Sequence, residues 1–148
     1  MVISLASTTI VDFLVDKGLP RGNKLRAGLR IPPWILAKKE YRRACIRGLM
    51  DTDGCLYTHT HTVLGKRYVN IALCFCSASP MLIGQVAEIF EEFGIEPHID
   101  ISGRNVYLYS AKSVARYLET FGTSNERIRS KYEKWRDARA VEWATLER

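Results

Sequence analysis

Two carboxylates close a helical run in Ile46-Arg47-Gly48-Leu49-Met50-Asp51-Thr52-Asp53-Gly54. At that end of a helix the negative pole of the backbone dipole disfavours anions by roughly 0.3–1 kcal/mol, so Asp51 and Asp53 call for compensation. A divalent cation supplies it, and Mg²⁺ in phosphodiester chemistry is held by one or two carboxylates with waters and phosphate oxygens. The other reading of the same residues is an Asp-Gly turn leading into a strand. Gly48 and Thr52, with Ala44 one turn earlier, form a small-residue stripe where a second helix approaches closely. A different metal chemistry is offered by Cys74-x-Cys76 and His59-x-His61, yet both pairs have strand spacing and neither matches a CxxC or HxxxH pattern.

The elements that must position these groups follow from the hydrophobic period. Residues 40–53 are helical, with Tyr41, Cys45, Ile46, Leu49 and Met50 at three- and four-residue steps, and Gly54 ends them. Residues 55–63 and 68–77 are β-rich and joined through Leu64-Gly65-Lys66, which reads as a hairpin. Pro80 opens a second helix that ends at Gly94. Residues 95–102 and 105–110 flank Gly103-Arg104 as a second hairpin. Residues 113–121 form a third helix that ends at Gly122. The order αββαββα predicts an α+β fold: one antiparallel sheet covered by helices on one face. Residues 1–39 form a basic leader or linker region with a helix, and residues 40–148 the main domain with a C-terminal amphipathic helix from 126, carrying Ile128, Tyr132, Trp135 and Trp143.

Alternation divides the sheet residues between two faces. Val69, Ile71, Leu73 and Phe75 oppose Tyr68, Asn70, Ala72, Cys74 and Cys76. Ile99 and Ile101 oppose His98, Asp100 and Ser102, and Val106 and Leu108 oppose Asn105, Tyr107 and Tyr109. The polar face, with Tyr57, His59 and His61 from the first strand and Lys66, Arg67 and Arg104 at the hairpins, carries the donors, acceptors and rings that base-edge contacts use. A solvated antiparallel sheet is the plainer reading of that face.

Composition agrees with a polyanionic partner. The 148 residues hold 22 Lys+Arg against 16 Asp+Glu, a formal charge of +6. Residues 21–47 carry nine basic side chains against Glu40 alone, which is either a solvated face or the stretch that meets phosphates. No apolar run approaches the about 18 residues of a membrane span. The N-terminus lacks a basic segment ahead of its apolar residues, so it reads neither as a secretory signal nor as a transit peptide. The expected location is cytoplasmic, with a nucleoid or an organelle as alternatives, and the four cysteines are expected as reduced thiols.

An internal echo completes the reading. Residues 10–18, IVDFLVDKG, lie over residues 114–122, VARYLETFG, without a gap and with the closing Gly in register.

The nonapeptide from Ile46 to Gly54 resembles the motif of the LAGLIDADG homing endonucleases, in the variant spelled LRGLFDTDG. The resemblance extends over residues 40–135, including Glu92-Phe93-Gly94-Ile95 and Tyr117-Leu118-Glu119-Thr120-Phe121-Gly122. It implies two such helices packed together through Ala44, Gly48 and Thr52, and two sheets forming a saddle over the DNA major groove. It implies Asp53 as metal ligand, Gly54 as a carbonyl ligand, Asp51 as a further and more structural carboxylate, and Mg²⁺ as cofactor. One motif in the chain implies a homodimer on a pseudo-palindromic duplex site.

Residues 18–24 and 31–35 resemble the linker between the halves of two-motif members, and there the family's basic active-site residue falls on Lys24. In the second half that offset falls on Ile128, flanked by Arg127 and Arg129 as basic candidates. The polar residue that organises water in members falls at Ser77 and Ala78. The activity implied is Mg²⁺-dependent, sequence-specific cleavage of double-stranded DNA, tied to intron or intein mobility. The alternatives are a non-catalytic nucleic-acid binder, such as an RNA maturase or transcription regulator, and an inert fragment of a two-motif enzyme.

Overall fold

The computed structural model describes residues 7–23 and 26–146, with side chains through residue 139. Two leader helices, α1 (Thr8–Asp16) and α2 (Pro33–Leu36), precede α3 (Lys39–Asp53), β1 (Gly54–Val63), β2 (Lys66–Cys76), α4 (Pro80–Glu92), β3 (His98–Ile99), β4 (Asn105–Leu108), α5 (Ala111–Thr120) and α6 (Glu126–Leu146). From α3 to α5 the order is the αββαββα expected from the sequence. The strands form one antiparallel sheet in the order β1-β2-β4-β3. Among the described residues no helix is long and apolar enough to cross a membrane.

Strand alternation builds the core. Leu56, Ile71, Leu73, Phe75, Val106 and Leu108 share one face and are buried with Ile46 and Met50 of α3, the apolar stripe of α4, and Val114, Tyr117 and Phe121 around α5. Phe90, Phe93, Tyr117 and Phe121 form an aromatic knot, with Phe93 and Phe121 centroids 4.9 Å apart. The C-terminal helix α6 packs as expected: Ile128 is buried, Tyr132 and Trp135 lie against the core, and Trp135 Nε1 donates to the Val69 carbonyl at 3.1 Å.

Both hairpins differ from expectation. The first closes through Leu64 and Gly65 alone, at φ 51° and 77°, and β2 starts at Lys66. The second is cut short, because β3 ends at Ile99. Asp100 accepts from the amides of Arg104 (3.2 Å) and Asn105 (3.1 Å), from the Ser102 hydroxyl (2.8 Å) and from Asn105 Nδ2 (2.8 Å). This side-chain clamp competes with the ladder and converts the strand end into a loop. Ile101 is consequently fully exposed, and Ile99 is 41% exposed, rather than both lying in the core. The alternation of β2 is also blurred: Ala72 and Cys74 are buried although they face away from the helices, being short side chains paired in register with Tyr57 and Tyr107.

The leader is strapped onto the domain by long-range hydrogen bonds. Ile31 N donates to Gln85 Oε1 at 2.7 Å and the buried Ser79 hydroxyl donates to the Leu29 carbonyl at 2.6 Å, while within the leader itself Trp34 Nε1 donates to the Lys17 carbonyl at 2.7 Å. Ser79 also caps α4 by accepting from Leu82 N.

Candidate metal centre and nucleic-acid face

The foot of α3 separates the two carboxylates by duty. Asp51 is committed to the α5–α6 linker: its oxygens accept from the Thr123 hydroxyl, from Ser124 N at 2.8 Å and from the Ser124 hydroxyl at 2.5 Å. Asn125 Nδ2 donates to the Asp51 carbonyl at 2.7 Å. Partial desolvation works to raise the Asp51 pKa, yet these donors outweigh it and hold the carboxyl below its usual range. Asp51, expected as a further and more structural carboxylate, thus has three donors on its roughly four acceptor positions and is tied to the linker. The polar triplet Thr123-Ser124-Asn125 ahead of α6 is the part of this site that sequence reasoning missed, and its helix-capping composition is the signal that could have found it.

Asp53 is exposed at the last position of α3. The Thr52 hydroxyl stands 3.4 Å from its carboxylate but has a nearer acceptor in the Gly48 carbonyl at 3.0 Å. Among the described residues no other side chain donates to Asp53. Gly54 follows in extended conformation, φ −80°, so its backbone angles do not require glycine. Space does: a Cβ there would collide with the Met50 carbonyl oxygen and stand 2.9 Å from Met50 Cα. The closing glycine lets β1 leave the helix without a gap, keeping Asp53 at the rim of the sheet.

Asp53 also lines a cavity of about 570 Å³ between the leader and α3, with Phe13, Leu14, Trp34, Cys45, Leu49, Phe75, Cys76 and Ser77 among its walls. This enclosure depends on leader packing and was not foreseen. Ser77 lines the same cavity as Asp53, whereas Ala78 borders only a more open recess with Arg104 and Asn105.

The basic candidates fare differently. Arg129 donates to the Thr123 carbonyl at 2.8 Å and pairs with Glu126 at 3.3 Å, so it braces the linker. Arg127 is exposed at the start of α6, with its amide capped by Asn125 Oδ1. Lys24 lies outside the described residues.

The register collects the polar face. Cys55, Cys74, Tyr107 and His98 are successive partners across all four strands, with Tyr57, His59 and His61 farther along β1 and Tyr68, Asn70 and Lys66 along β2. Rings stack along this face, His59–His61 at 6.0 Å, His61–Tyr68 at 5.6 Å and Tyr107–Tyr109 at 4.9 Å, and His98 lies tilted against Tyr109 at 5.5 Å. Burial, and then the neighbouring Cys74, push the Tyr107 hydroxyl up to about 12, and burial followed by the Cys76 thiol does the same to Cys74. Both are neutral donors at physiological pH.

Two residues expected on this face are engaged elsewhere, and Arg104 stays at the second turn where the sequence puts it. Arg67 pairs with Thr62 on the opposite parity, and the Asp100 carboxylate is taken up by its clamp, where Asn105 first and Ser102 next hold its pKa at about 2. The alternative Cys/His metal site is overturned by register, since His59 stands four residues along β1 from Cys55, the partner of Cys74, or about 13 Å.

The helix stripe is open. Ala44, Gly48 and Thr52 are exposed, and a Cβ at Gly48 would meet nothing within 4 Å. Gly48 is thus not there to bring α3 close to its own sheet. Five of the nine basic side chains of the stretch 21–47 are engaged within the chain. Arg21 pairs with Asp12 at 2.9 Å, Arg42 with Glu92 at 2.6 Å, and Arg43 donates to the Thr120 carbonyl at 2.9 Å, while Lys38 and Lys39 cover the rings of Tyr41 and Phe93.

The LAGLIDADG-like domain family matches residues 40–122, from the start of α3 to the glycine after α5. The chain belongs to this family. Among curated proteins it is similar to the tRNA-splicing ligase RtcB of Pyrococcus abyssi, 27% identical over 139 residues, covering 88% of this chain and 14% of that protein. The chain therefore spans a small part of that relative. Among solved structures it is similar to the homing endonuclease I-CvuI, in complex with the I-CreI target in the presence of 2 mM Mg with the DNA not cleaved. That similarity has a TM-score of 0.50 at 17% identity and covers 62% of each chain, and it shows the shared LAGLIDADG fold.

Proposed function

We propose that the chain is a Mg²⁺-dependent, sequence-specific double-strand DNA endonuclease that works as a homodimer. The observation that carries this reading is the division of labour at the foot of α3. Asp51 is locked into structure, while Asp53, two residues on, presents a carboxylate with no structural task at the edge of a polar, aromatic sheet face. Its donor set suits a hard cation: one carboxylate and the Gly54 carbonyl, with the remaining positions left to water and phosphate oxygens. Among the described residues no group of three or more Asp, Glu, His or Cys could hold a metal, so this reading requires further ligands from substrate and from a second copy's Asp53. Mg²⁺ bound there would neutralise charge on the scissile phosphate. The sheet face binds and orients the duplex, and the open stripe Ala44, Gly48, Thr52 brings two α3 helices together so that both Asp53 carboxylates meet one site. The I-CvuI complex, a homing endonuclease on target DNA with Mg, supports the same reading. Similarity confined to 14% of a much longer RNA ligase supports a mobile element carried inside a host protein. An intracellular location, in the cytoplasm, the nucleoid or an organelle, goes with that role.

A cleavage selection on randomised duplex DNA with Mg²⁺ tests the proposal. The wild type is expected to return a pseudo-palindromic site. Asp53→Asn is expected to lose cleavage while keeping binding, because it removes a ligand charge and no phosphate contact. Cleavage by that variant at the wild-type rate would overturn the role of Asp53. A non-catalytic binder on the same scaffold, an RNA maturase or transcription regulator, is the second reading, favoured by the use of Arg129 as a linker brace. Binding without cleavage by the wild type would select it.

A further inference from the structure

Leu64 occupies the first position of the two-residue turn between β1 and β2 at φ 51°, and its side chain is 99% exposed. That backbone region favours Gly, Asn and Asp, and a leucine held there is strained. A side chain so exposed does no packing within its own chain, so its presence at a strained tip calls for a contact outside it. The surroundings say of what kind. Val63, 48% exposed, and Lys66 are register partners immediately below the tip, Arg67 follows, and the stacked pair His61–Tyr68 lies one step further down. An apolar point with cations and rings beneath it matches a duplex, whose phosphates flank a base stack that apolar side chains can enter.

Position agrees with chemistry. The ten residues of β1 carry the tip about 30 Å from Asp53, close to one turn of B-DNA. A ribbon lying along the major groove from the Asp53 end reaches the strand backbone, and the groove beyond it, near that distance. We infer that Leu64 is a wedge that the β1–β2 hairpin inserts between base pairs about one helical turn from Asp53, unstacking the duplex there. This rests on the DNA-binding reading above.

The test compares the wild type with Leu64→Gly and Leu64→Met on a mixed-sequence duplex carrying 2-aminopurine at spaced positions, at low salt, with phosphatidylserine vesicles as a second target. The wild type and Leu64→Met are expected to bind the duplex and raise 2-aminopurine fluorescence. Leu64→Gly is expected to bind about tenfold more weakly without the rise. It should also melt at or above the wild-type temperature, because the turn is relieved of strain, so its loss is not unfolding. Equal binding and an equal rise for Leu64→Gly would overturn the wedge and leave DNA binding standing. Failure of all three to bind the duplex would overturn the DNA reading and the wedge with it. Binding to vesicles but not to the duplex, lost in Leu64→Gly, would overturn the wedge in favour of a lipid-inserting tip.

Discussion

Two aspartates separated by a single threonine show how little sequence distance says about duty. Asp51 points at the linker and takes three hydrogen bonds from Thr123 and Ser124, whereas Asp53, two residues later at the end of the same helix, faces the rim. The motif made both legible as acids, but only the folded linker distinguishes them, because the donors to Asp51 arrive from about seventy residues downstream. Gly54 was legible as a helix stop; that its missing side chain makes room for the Met50 carbonyl was not. The Asp51 contacts yield a pH-dependent prediction. Its folded pKa lies below 3.8, so it contributes stability that is fully present above that value and fades as pH falls through the folded pKa. Asp51→Asn should lower stability at neutral pH by about 1 kcal/mol, the low end for a partly exposed hydrogen-bonded carboxylate. The gap between variant and wild type in thermal melts should close on acidification. A gap independent of pH would mean that the charge of Asp51 contributes nothing.

Elements were readable where caps punctuate them and unreadable where side chains compete with ladders. Gly54 ends α3, and Pro80 and Gly94 bracket α4 within a residue or two of where the sequence puts them. The alternating run 95–102 failed as a strand because Asp100 gathers the loop around itself, a competition that hydrophobic period does not register. The echo of residues 114–122 in 10–18 is real at the level of elements, since both are helices followed by a positive-φ glycine, Gly122 and Gly18. Their packing differs: Tyr117 is fully buried, and its counterpart Phe13 is 58% exposed. For α3 the open space at Gly48 turns a sequence alternative into a sharp test. Gly48→Leu meets no obstacle within its own chain and replaces a poor helix former, so the monomer should gain about 0.5–1 kcal/mol. The same leucine holds two α3 helices apart and should yield a folded monomer without nuclease activity. Light scattering alongside thermal melting checks both halves of that expectation, and a wild type that stays monomeric at high concentration, with and without DNA, would count against the homodimer.

At the scale of the whole molecule the charge of +6 is less one-sided than the sequence makes it look. Arg21 of the leader and Arg42 and Arg43 of α3 face partners in their own chain, and the bonds Ile31–Gln85 and Ser79–Leu29 hold the leader against α4, where it walls the cavity that Asp53 also lines. Phosphate contacts should then come from the sheet side, with Lys66 below the β1–β2 turn. Each phosphate neutralised releases condensed counterions and steepens the fall of log affinity with log salt by about 0.9 for a duplex. Lys66→Ala should therefore flatten that slope by about one unit while leaving the melting temperature in place. Arg42→Ala should do the reverse. Its guanidinium is mostly buried between Glu92 and the Leu36 carbonyl, so its removal should lower the melting temperature and leave the slope unchanged. Fluorescence anisotropy on a mixed-sequence duplex across a salt series, paired with melts of each variant, separates the two. If Arg42→Ala flattened the slope as much as Lys66→Ala, the basic stretch 21–47 would meet phosphates after all, and the sheet would lose its claim as the principal DNA surface.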